Sequence, residues 1–331
     1  MKGNNLKLMP VGWPLGKMCV SNSISNGKQM PSIIYTFGLT KLFNMKSVLL
    51  RHLMAVTILI TSLYFSASAQ LKGDTYASAK ESKKATWMIA YSDSPGLATL
   101  DGGKPEGVCF DIMIEFASYV KTKTGIDVTL TYPTEESSDF DLYLKNVKSG
   151  KGGVFGLSNT TITPERKKLY NFSPPFMKNV SMILSQAGVS QLTDIKTIAT
   201  TFAQFKAITI KGTVNEGRLL GIKSKYYPGM VVESVASFGE AIHRISVDPK
   251  TFTCVDVTYF LKGVQAGKKI MRHSGGDEGG EEFGVIMPLS NDWSPLFTEF
   301  MNSGFATSEK FHKIMTKHLG QSILRFSKTS K

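Results

Sequence analysis

Cysteine and histidine are scarce in this sequence. It has 3 cysteines and 5 histidines in 331 residues, with no Cys-x-x-Cys pair and no Cys/His spacing typical of a metal site. Cys19 lies in the N-terminal segment, which leaves Cys109 and Cys254 far apart in the chain. An exported protein could form a disulfide between them, but they fall in different halves of the predicted fold. We therefore expect two free, buried thiols, no metal and no cofactor.

Acidic residues are absent from the first 69 positions, which contain seven Lys or Arg. Residues 70–331 hold the other 32 basic residues and all 26 acidic ones, so the formal net charge of +13 arises in large part from the N-terminus. The remaining lysines are dispersed rather than clustered. This distribution favours a solvated surface over a nucleic-acid partner.

No apolar run reaches the roughly 20 residues that span a bilayer. The longest candidate covers 53–65. Lys46 and Arg51 precede it, and Ala67-Ser68-Ala69 follows it. A basic segment, a short apolar segment and an A-x-A site indicate a secretory signal peptide over 45–69 rather than a membrane anchor. We therefore expect a mature start at Gln70, a periplasmic location, and an unstructured upstream extension over 1–44.

The mature chain begins with a polar, lysine-rich stretch, 70–85, which we interpret as a tether. Apolar periodicity then predicts strands at 86–91, 126–132 and 153–158, with helices at 110–123 and 139–149 between them. This alternation of strands and helices implies a parallel α/β sheet.

The pattern restarts in the second half. Strands are predicted at 207–210, 229–233, 252–257 and 283–287, and helices at 214–220, 237–245, 295–303 and 309–319. The glycine-rich acidic stretch 274–284 lacks the lysine and following helix of a phosphate loop, so we predict a mobile surface turn there. Two consecutive α/β units suggest two lobes that face one ligand cleft.

The segment Thr161-Ile162-Thr163-Pro164-Glu165-Arg166 carries the most chemical information. Thr163 is a good helix N-cap and Pro164 is favoured at the first helical position. Arg166 then lies in the first turn, where its guanidinium and main-chain donors would suit a carboxylate. Taken alone, such an arginine is more often solvated.

Together with other landmarks, this segment resembles the family 3 extracellular solute-binding proteins, the periplasmic amino-acid receptors of ABC importers. The landmarks are GVCFD (107–111), SDFDLYL (138–144), TITPER (161–166), FSPPF (172–176), Lys211-Gly212-Thr213, Asp256 at a strand end, and FGVIMP (283–288), in that order. The resemblance implies a type II periplasmic-binding-protein fold, with lobe one at 70–182 plus 286–331 and lobe two at 183–285. Hinge strands would lie near 181–184 and 283–287.

The same resemblance implies a zwitterion site. Arg166 would bind the ligand α-carboxylate, with the amides of Thr161 and Thr213 beside it. The ammonium would meet Asp256, the Thr161 hydroxyl and the backbone near Asn159. One cationic and one anionic partner suit a zwitterion, because burying either charge unpaired is costly.

The side-chain pocket is less well defined by the resemblance. Phe140 would form an aromatic wall, and Tyr91 and Asp93 follow the first strand, where relatives carry cleft residues. Three of the proposed roles have a plainer alternative: Phe140 as core only, Asp256 as a cap of the next segment and Thr213 as an N-cap only.

The resemblance implies a monomer that captures a polar amino acid or analogue for an ABC permease, and that is not an enzyme. A sensory subunit for a membrane receptor is an alternative from the same fold. Another is a cyclohexadienyl-dehydratase-like enzyme, which would need a protonated cleft carboxylate. Asp93 and Glu216 are the candidates for that carboxylate.

Overall fold

The strands of the protein form two five-stranded sheets and one short hairpin in the computed structural model, which describes residues 70–133 and 139–324. The strands are β1 (Lys84–Tyr91), β2 (Thr99–Asp101), β3 (Lys104–Glu106), β4 (Asp127–Thr131), β5 (Val154–Leu157), β6 (Tyr170–Phe172), β7 (Met177–Gln186), β8 (Lys206–Thr209), β9 (Val231–Ser234), β10 (Thr251–Asp256), β11 (Ile270–Phe283) and β12 (Ile286–Pro288). The helices are α1 (Tyr76–Ser82), α2 (Val108–Thr124), α3 (Phe140–Ser149), α4 (Pro164–Lys167), α5 (Ile198–Thr201), α6 (Val214–Tyr226), α7 (Phe238–Val247), α8 (Val257–Gln265), α9 (Ser294–Asn302) and α10 (Glu309–Leu319).

The first sheet has the order β4-β1-β5-β12-β6. Its three predicted strands pair in parallel, with β1 between β4 and β5. The connections α2 and α3 supply the helices that parallel strands need. Strand β12, from late in the chain, pairs antiparallel with β5 and β6. The predicted strand–helix alternation of this half is confirmed.

The second sheet has the order β11-β7-β10-β8-β9. Strands β10, β8 and β9 are parallel, as predicted, while β7 and β11 run antiparallel to their neighbours. Both sheets belong to one compact unit, Ser68–Lys331. The described chain therefore consists of two mixed α/β sheets of equal strand number.

The chain crosses between the sheets twice. It leaves the first sheet after Phe172 and enters the second at Met177, and it returns between Phe283 and Ile286. The predicted second crossing at 283–287 contains the observed one. The predicted first crossing at 181–184 lies inside β7, so the observed passage comes earlier in the sequence. The exact bounds of the two lobes stay a prediction.

The glycine-rich acidic stretch is part of a strand. Residues 274–283 belong to β11, where Glu281 pairs with Asn179 and Phe283 with Met177. The predicted surface turn is therefore wrong. Its composition is typical of turns, but β7 supplies the backbone partners, and irregular register after His273 accommodates the extra residues.

The predicted tether is also partly wrong, because α1 lies within it. Thr75 is the N-cap of this helix: its Oγ1 accepts a hydrogen bond from Ser78 N at 3.1 Å. The Asp292 carboxylate accepts from the amides of Tyr76 and Ala77 at 2.8 and 3.0 Å. That partner lies more than 200 positions away, so local composition could not show it.

Aromatic side chains form the centre of the first lobe's core. Trp87 stacks on Phe116 with ring centroids 4.7 Å apart, and Phe116 stacks on Phe297 at 4.5 Å. Cys109 and Cys254 are buried in separate core clusters and are free, which confirms the prediction of two thiols. No helix in the described part of the chain is long and apolar enough to cross a membrane. The predicted signal peptide, 45–69, lies outside the described residues.

Candidate functional site

Asp256 lies at the carboxyl end of β10, where parallel strands of α/β sheets place ligand-binding groups. It is 3% exposed. Asn179 Nδ2 and Asn215 Nδ2 donate to its Oδ1 at 2.8 and 3.0 Å, and Asn159 Nδ2 donates to its Oδ2. Three amides from three different segments therefore surround one carboxylate.

Burial raises the pKa of Asp256, and the hydrogen bonds from the three asparagines oppose this rise. Asp256 occupies the N-cap position of α8 but makes no side-chain capping bond there. The alternative of a simple helix cap is therefore not supported. Because a carboxylate has about four lone-pair sites, one remains for a further donor.

Arg166 lies in the first turn of α4, and Thr163 is the predicted N-cap. Thr163 Oγ1 accepts from the backbone amide of Arg166 at 3.2 Å, so this amide is already engaged and the guanidinium is the group available to a ligand. Nη1 donates to Thr161 O at 3.1 Å and Nη2 to Gly212 O at 3.5 Å. The guanidinium carbon stands 5.4 Å from the Phe140 ring centroid, a cation–π distance.

The guanidinium bond to Gly212 brings the two lobes together at the start of α6. Thr213 is the N-cap of that helix: its Oγ1 accepts from Glu216 N at 3.1 Å and donates to Ile210 O at 2.8 Å. Gly212 has φ +76°, and a Cβ there would lie 2.3 Å from Asp141 Oδ1. The positive φ therefore favours glycine at this position, and the Asp141 carboxylate of the other lobe lies against it.

An open groove of about 710 Å³ runs between the lobes at this point, and Arg166, Thr213, Arg218 and Glu281 are among its lining residues. Thr161 is buried, and its carbonyl faces the Arg166 guanidinium. Thr161 also forms a backbone bridge with Phe283, the last residue of β11. The predicted carboxylate-binding residues therefore lie together.

A second cavity, of about 340 Å³, lies beside this groove. Its lining residues include Asp93, Phe140, Asn159, Ser237, Phe238 and Tyr259. Three of these were predicted from the sequence. Phe140 thus borders both the cavity and the Arg166 guanidinium, although it is only 9% exposed.

Tyr91 and Asp93, at the end of β1, lie in different environments. Tyr91 is buried in the core with its ring 5.8 Å from Phe110, whereas Asp93 is exposed and lines the cavity. The hydroxyl of Tyr259, from the second lobe, donates to the Asp93 carbonyl at 3.3 Å. Of the two predicted pocket residues, Asp93 therefore lies at the cavity, whereas Tyr91 belongs to the core.

Sequence reasoning missed several residues of this site. Asn179 and Asn215 donate to Asp256, and Glu281 lines the groove. Phe238 and Tyr259 pack against each other on the cavity wall, tilted by 36° with ring centroids 4.4 Å apart. The local sequence distinguishes none of these five, because their partners lie far away along the chain.

Glu216, a candidate acid for the dehydratase alternative, has a structural role. Its Oε2 accepts from Gly212 N at 2.9 Å, and the backbone amide of Glu216 donates to Thr213 Oγ1. This reciprocal arrangement resembles a capping box. Among the described residues, no group of three His, Cys, Asp or Glu side chains could hold a metal ion.

The two sheets, their double crossing and the cleft between them define a type II periplasmic-binding-protein fold. No protein-family model and no curated protein matches the chain. Solved structures do match. The arginine-, lysine-, histidine-binding protein ArtJ from Geobacillus stearothermophilus is similar with a TM-score of 0.57 and 18% identity, over 71% of this chain and 96% of that chain.

Two further structures widen the comparison. One, assigned as the binding component of an ABC transporter from Wolinella succinogenes and solved with lysine, has a TM-score of 0.57 at 12% identity, over 71% of this chain and 95% of its own. The other is an ancestral amino-acid-binding protein described as a precursor of cyclohexadienyl dehydratase, with a TM-score of 0.54 at 16% identity, over 73% and 98%. The chain therefore has the fold of bacterial amino-acid-binding proteins.

Proposed function

We propose that this protein captures a polar amino acid, or a close analogue, between its two lobes. The observation that carries the proposal is the placement of one cation and one anion on opposite lobes around the cleft. Arg166 lines the groove, and Asp256 accepts from Asn159, which lines the adjoining cavity. Arg166 comes from the first lobe and Asp256 from the second. An α-amino acid has the complementary pair of charges.

The α-carboxylate binds Arg166, whose guanidinium has five N–H donors, with the amides of Thr161 and Thr213 nearby. The ammonium takes the remaining lone-pair site of Asp256, next to Asn159. Asp256 and Arg166 are both partly desolvated, and burial lowers the pKa of Arg166 while it raises that of Asp256. A zwitterionic ligand would offset the cost of burying both side chains, because each buried charge gains a partner of opposite sign.

The ligand side chain enters the cavity of about 340 Å³. Phe140, Phe238 and Tyr259 give this cavity aromatic walls, and Asp93 gives it a carboxylate. Such a combination suits an extended side chain that ends in a cation or another hydrogen-bond donor. One of the structures matched above is described as an arginine-, lysine-, histidine-binding protein and another was solved with lysine, which agrees with this composition.

The biological setting follows from the same proposal. After export on the 45–69 signal peptide, the mature protein is a periplasmic monomer that delivers its ligand to an ABC permease. The two sheets mark the two lobes, which close about the two crossings when the ligand binds. A receptor that reads the closed form in place of a permease is the alternative.

A thermal-melting screen of the twenty common L-amino acids tests this function. An amino acid at about 100 times its Kd should stabilise the protein by roughly 2.7 kcal/mol, and sugars and nucleotides should have no effect. Arg166→Lys should abolish the shift, because an ammonium cannot bind a carboxylate with a two-pronged geometry. Lys167→Arg, on the same helix, is the control. If no amino acid stabilises the wild type, the proposed function is wrong.

A further inference from the structure

Asn179 is fully buried on β7, close to the point where the chain enters the second sheet. Its Nδ2 donates both to Asp256 Oδ1 and to Glu281 Oε2, each at 2.8 Å. Its Oδ1 accepts from Val257 N, the first residue of α8, at 3.3 Å. One side-chain amide thus connects the end of β10, the start of α8 and strand β11.

Glu281 is the second carboxylate at this amide. It lies opposite Asn179 in the β7–β11 ladder and lines the groove that contains Arg166. Burial and the nearby Asp256 raise the pKa of Glu281, and the hydrogen bond from Asn179 opposes the rise. Two partly desolvated carboxylates of the second lobe therefore share one donor group.

The cations near this pair are few. Arg166 bonds to backbone carbonyls of Thr161 and Gly212, and Arg218 Nε is paired with Glu278 at 2.7 Å. Among the described residues, neither arginine forms a direct ion pair with Asp256 or Glu281, although both act on these carboxylates at longer range. A cation that arrives at Asp256 consequently meets two carboxylates without a direct ionic partner.

We propose, on the basis of the function proposed above, that Asn179 is a positioning residue for ligand recognition. It aims Asp256 at the ligand ammonium and holds Glu281 beside it, so that both carboxylates select for that ammonium. The inference gives Asn179 a role in discrimination rather than only in stability. It also adds Glu281 to the ammonium half of the site.

The selection can be measured as a ratio of two dissociation constants. L-Arginine, L-lysine and L-glutamine are each paired with the analogue that lacks the α-amino group: 5-guanidinopentanoate, 6-aminohexanoate and glutaramate. Isothermal titration calorimetry gives the Kd of each analogue divided by that of its amino acid. A purely structural residue would weaken both members of a pair alike and leave the ratio unchanged.

Asn179→Ala should lower this ratio about tenfold, and Glu281→Gln about threefold, since charge-assisted bonds exceed neutral ones in strength. Asn171→Ala is the first control, because Asn171 on β6 bonds to the carbonyls of Pro288 and Leu289 instead. Glu282→Gln is the second, since the next residue of β11 lines a separate groove. Both controls should keep the wild-type ratio within twofold.

Glu281→Gln decides the matter if Asn179→Ala does not fold, because glutamine preserves the acceptor for Asn179. An unchanged ratio in folded Glu281→Gln, together with amino-acid binding by the wild type, overturns this inference and leaves the proposed function intact. If the wild type binds none of the twenty amino acids in the screen above, the proposed function fails and this inference fails with it. If the screen identifies another amino acid, that amino acid and its own des-amino analogue form the measured pair.

Discussion

Replacing Asp256 with asparagine separates the charge of the site from its shape. The substituted amide can keep hydrogen bonds to all three asparagines. Its Oδ1 accepts from Asn179 and Asn215, and its Nδ2 donates to Asn159 Oδ1 once the Asn159 amide is rotated by half a turn. This rotation is compatible with Ser158, because its hydroxyl, which now donates to Asn159 Oδ1 at 3.0 Å, can accept instead. Asp256→Asn should therefore remove one negative charge with little change in packing.

Two opposite effects follow. A hydrogen bond to a charged group contributes about 1.5–3 kcal/mol, so amino-acid affinity should fall roughly 10- to 150-fold. Stability should not fall. The folded-state pKa of Asp256 is raised, mainly by burial, so the free energy of unfolding falls as pH rises from the ordinary carboxyl pKa to the raised one, and this loss persists at higher pH. Removing the charge should preserve or increase the melting temperature of the ligand-free protein at neutral pH.

Asp256→Ala is the contrasting variant. It strands three buried amide donors, each of which costs about 1–3 kcal/mol when unsatisfied. A loss of about 3 kcal/mol would lower the melting temperature by roughly 6–12 °C. Calorimetric melting with and without amino acid distinguishes the two variants. Asp256→Asn that binds within threefold of the wild type, or melts as early as Asp256→Ala, would refute the reasoning.

Two other predictions concern acid stability and export. Burial lowers the pKa of His273 from 6.5 to about 4. Both ring nitrogens are engaged: Nδ1 accepts from Leu192 N at 3.0 Å and Nε2 contacts Ser185 Oγ at 2.7 Å. The unfolded state takes up the proton first, so the free energy of unfolding should fall by up to about 3 kcal/mol as pH drops from 6.5 towards 4. Urea unfolding should show this pH dependence in the wild type and in the control His312→Gln. It should be absent in His273→Gln. N-terminal sequencing of protein from its own host should find Gln70, and cytosolic protein that retains Met1 would contradict the predicted signal peptide.

Periodicity and capping residues were sufficient to predict most of the local structure. The strands at β1, β4 and β5 and the helices around Phe110 and Glu309 follow from apolar spacing that the tertiary contacts then reinforce. The Thr163-Pro164 start of α4 follows from capping chemistry, which needs only neighbouring residues. Composition failed at 274–283, because a glycine-rich acidic segment can form a strand when another strand supplies its hydrogen-bonding partners.

The sequence by itself determined the two α/β units, the free thiols and the presence of Arg166 and Asp256 as candidates for a zwitterion site. The tertiary structure alone decided what surrounds them. Asn159, Asn179 and Asn215 converge on Asp256 from separate segments, and Glu281 joins them through a ladder pairing 102 positions from Asn179. Such contacts depend on how the two sheets meet, because a buried carboxylate accepts whichever donors the fold brings within 3 Å, at any separation along the chain.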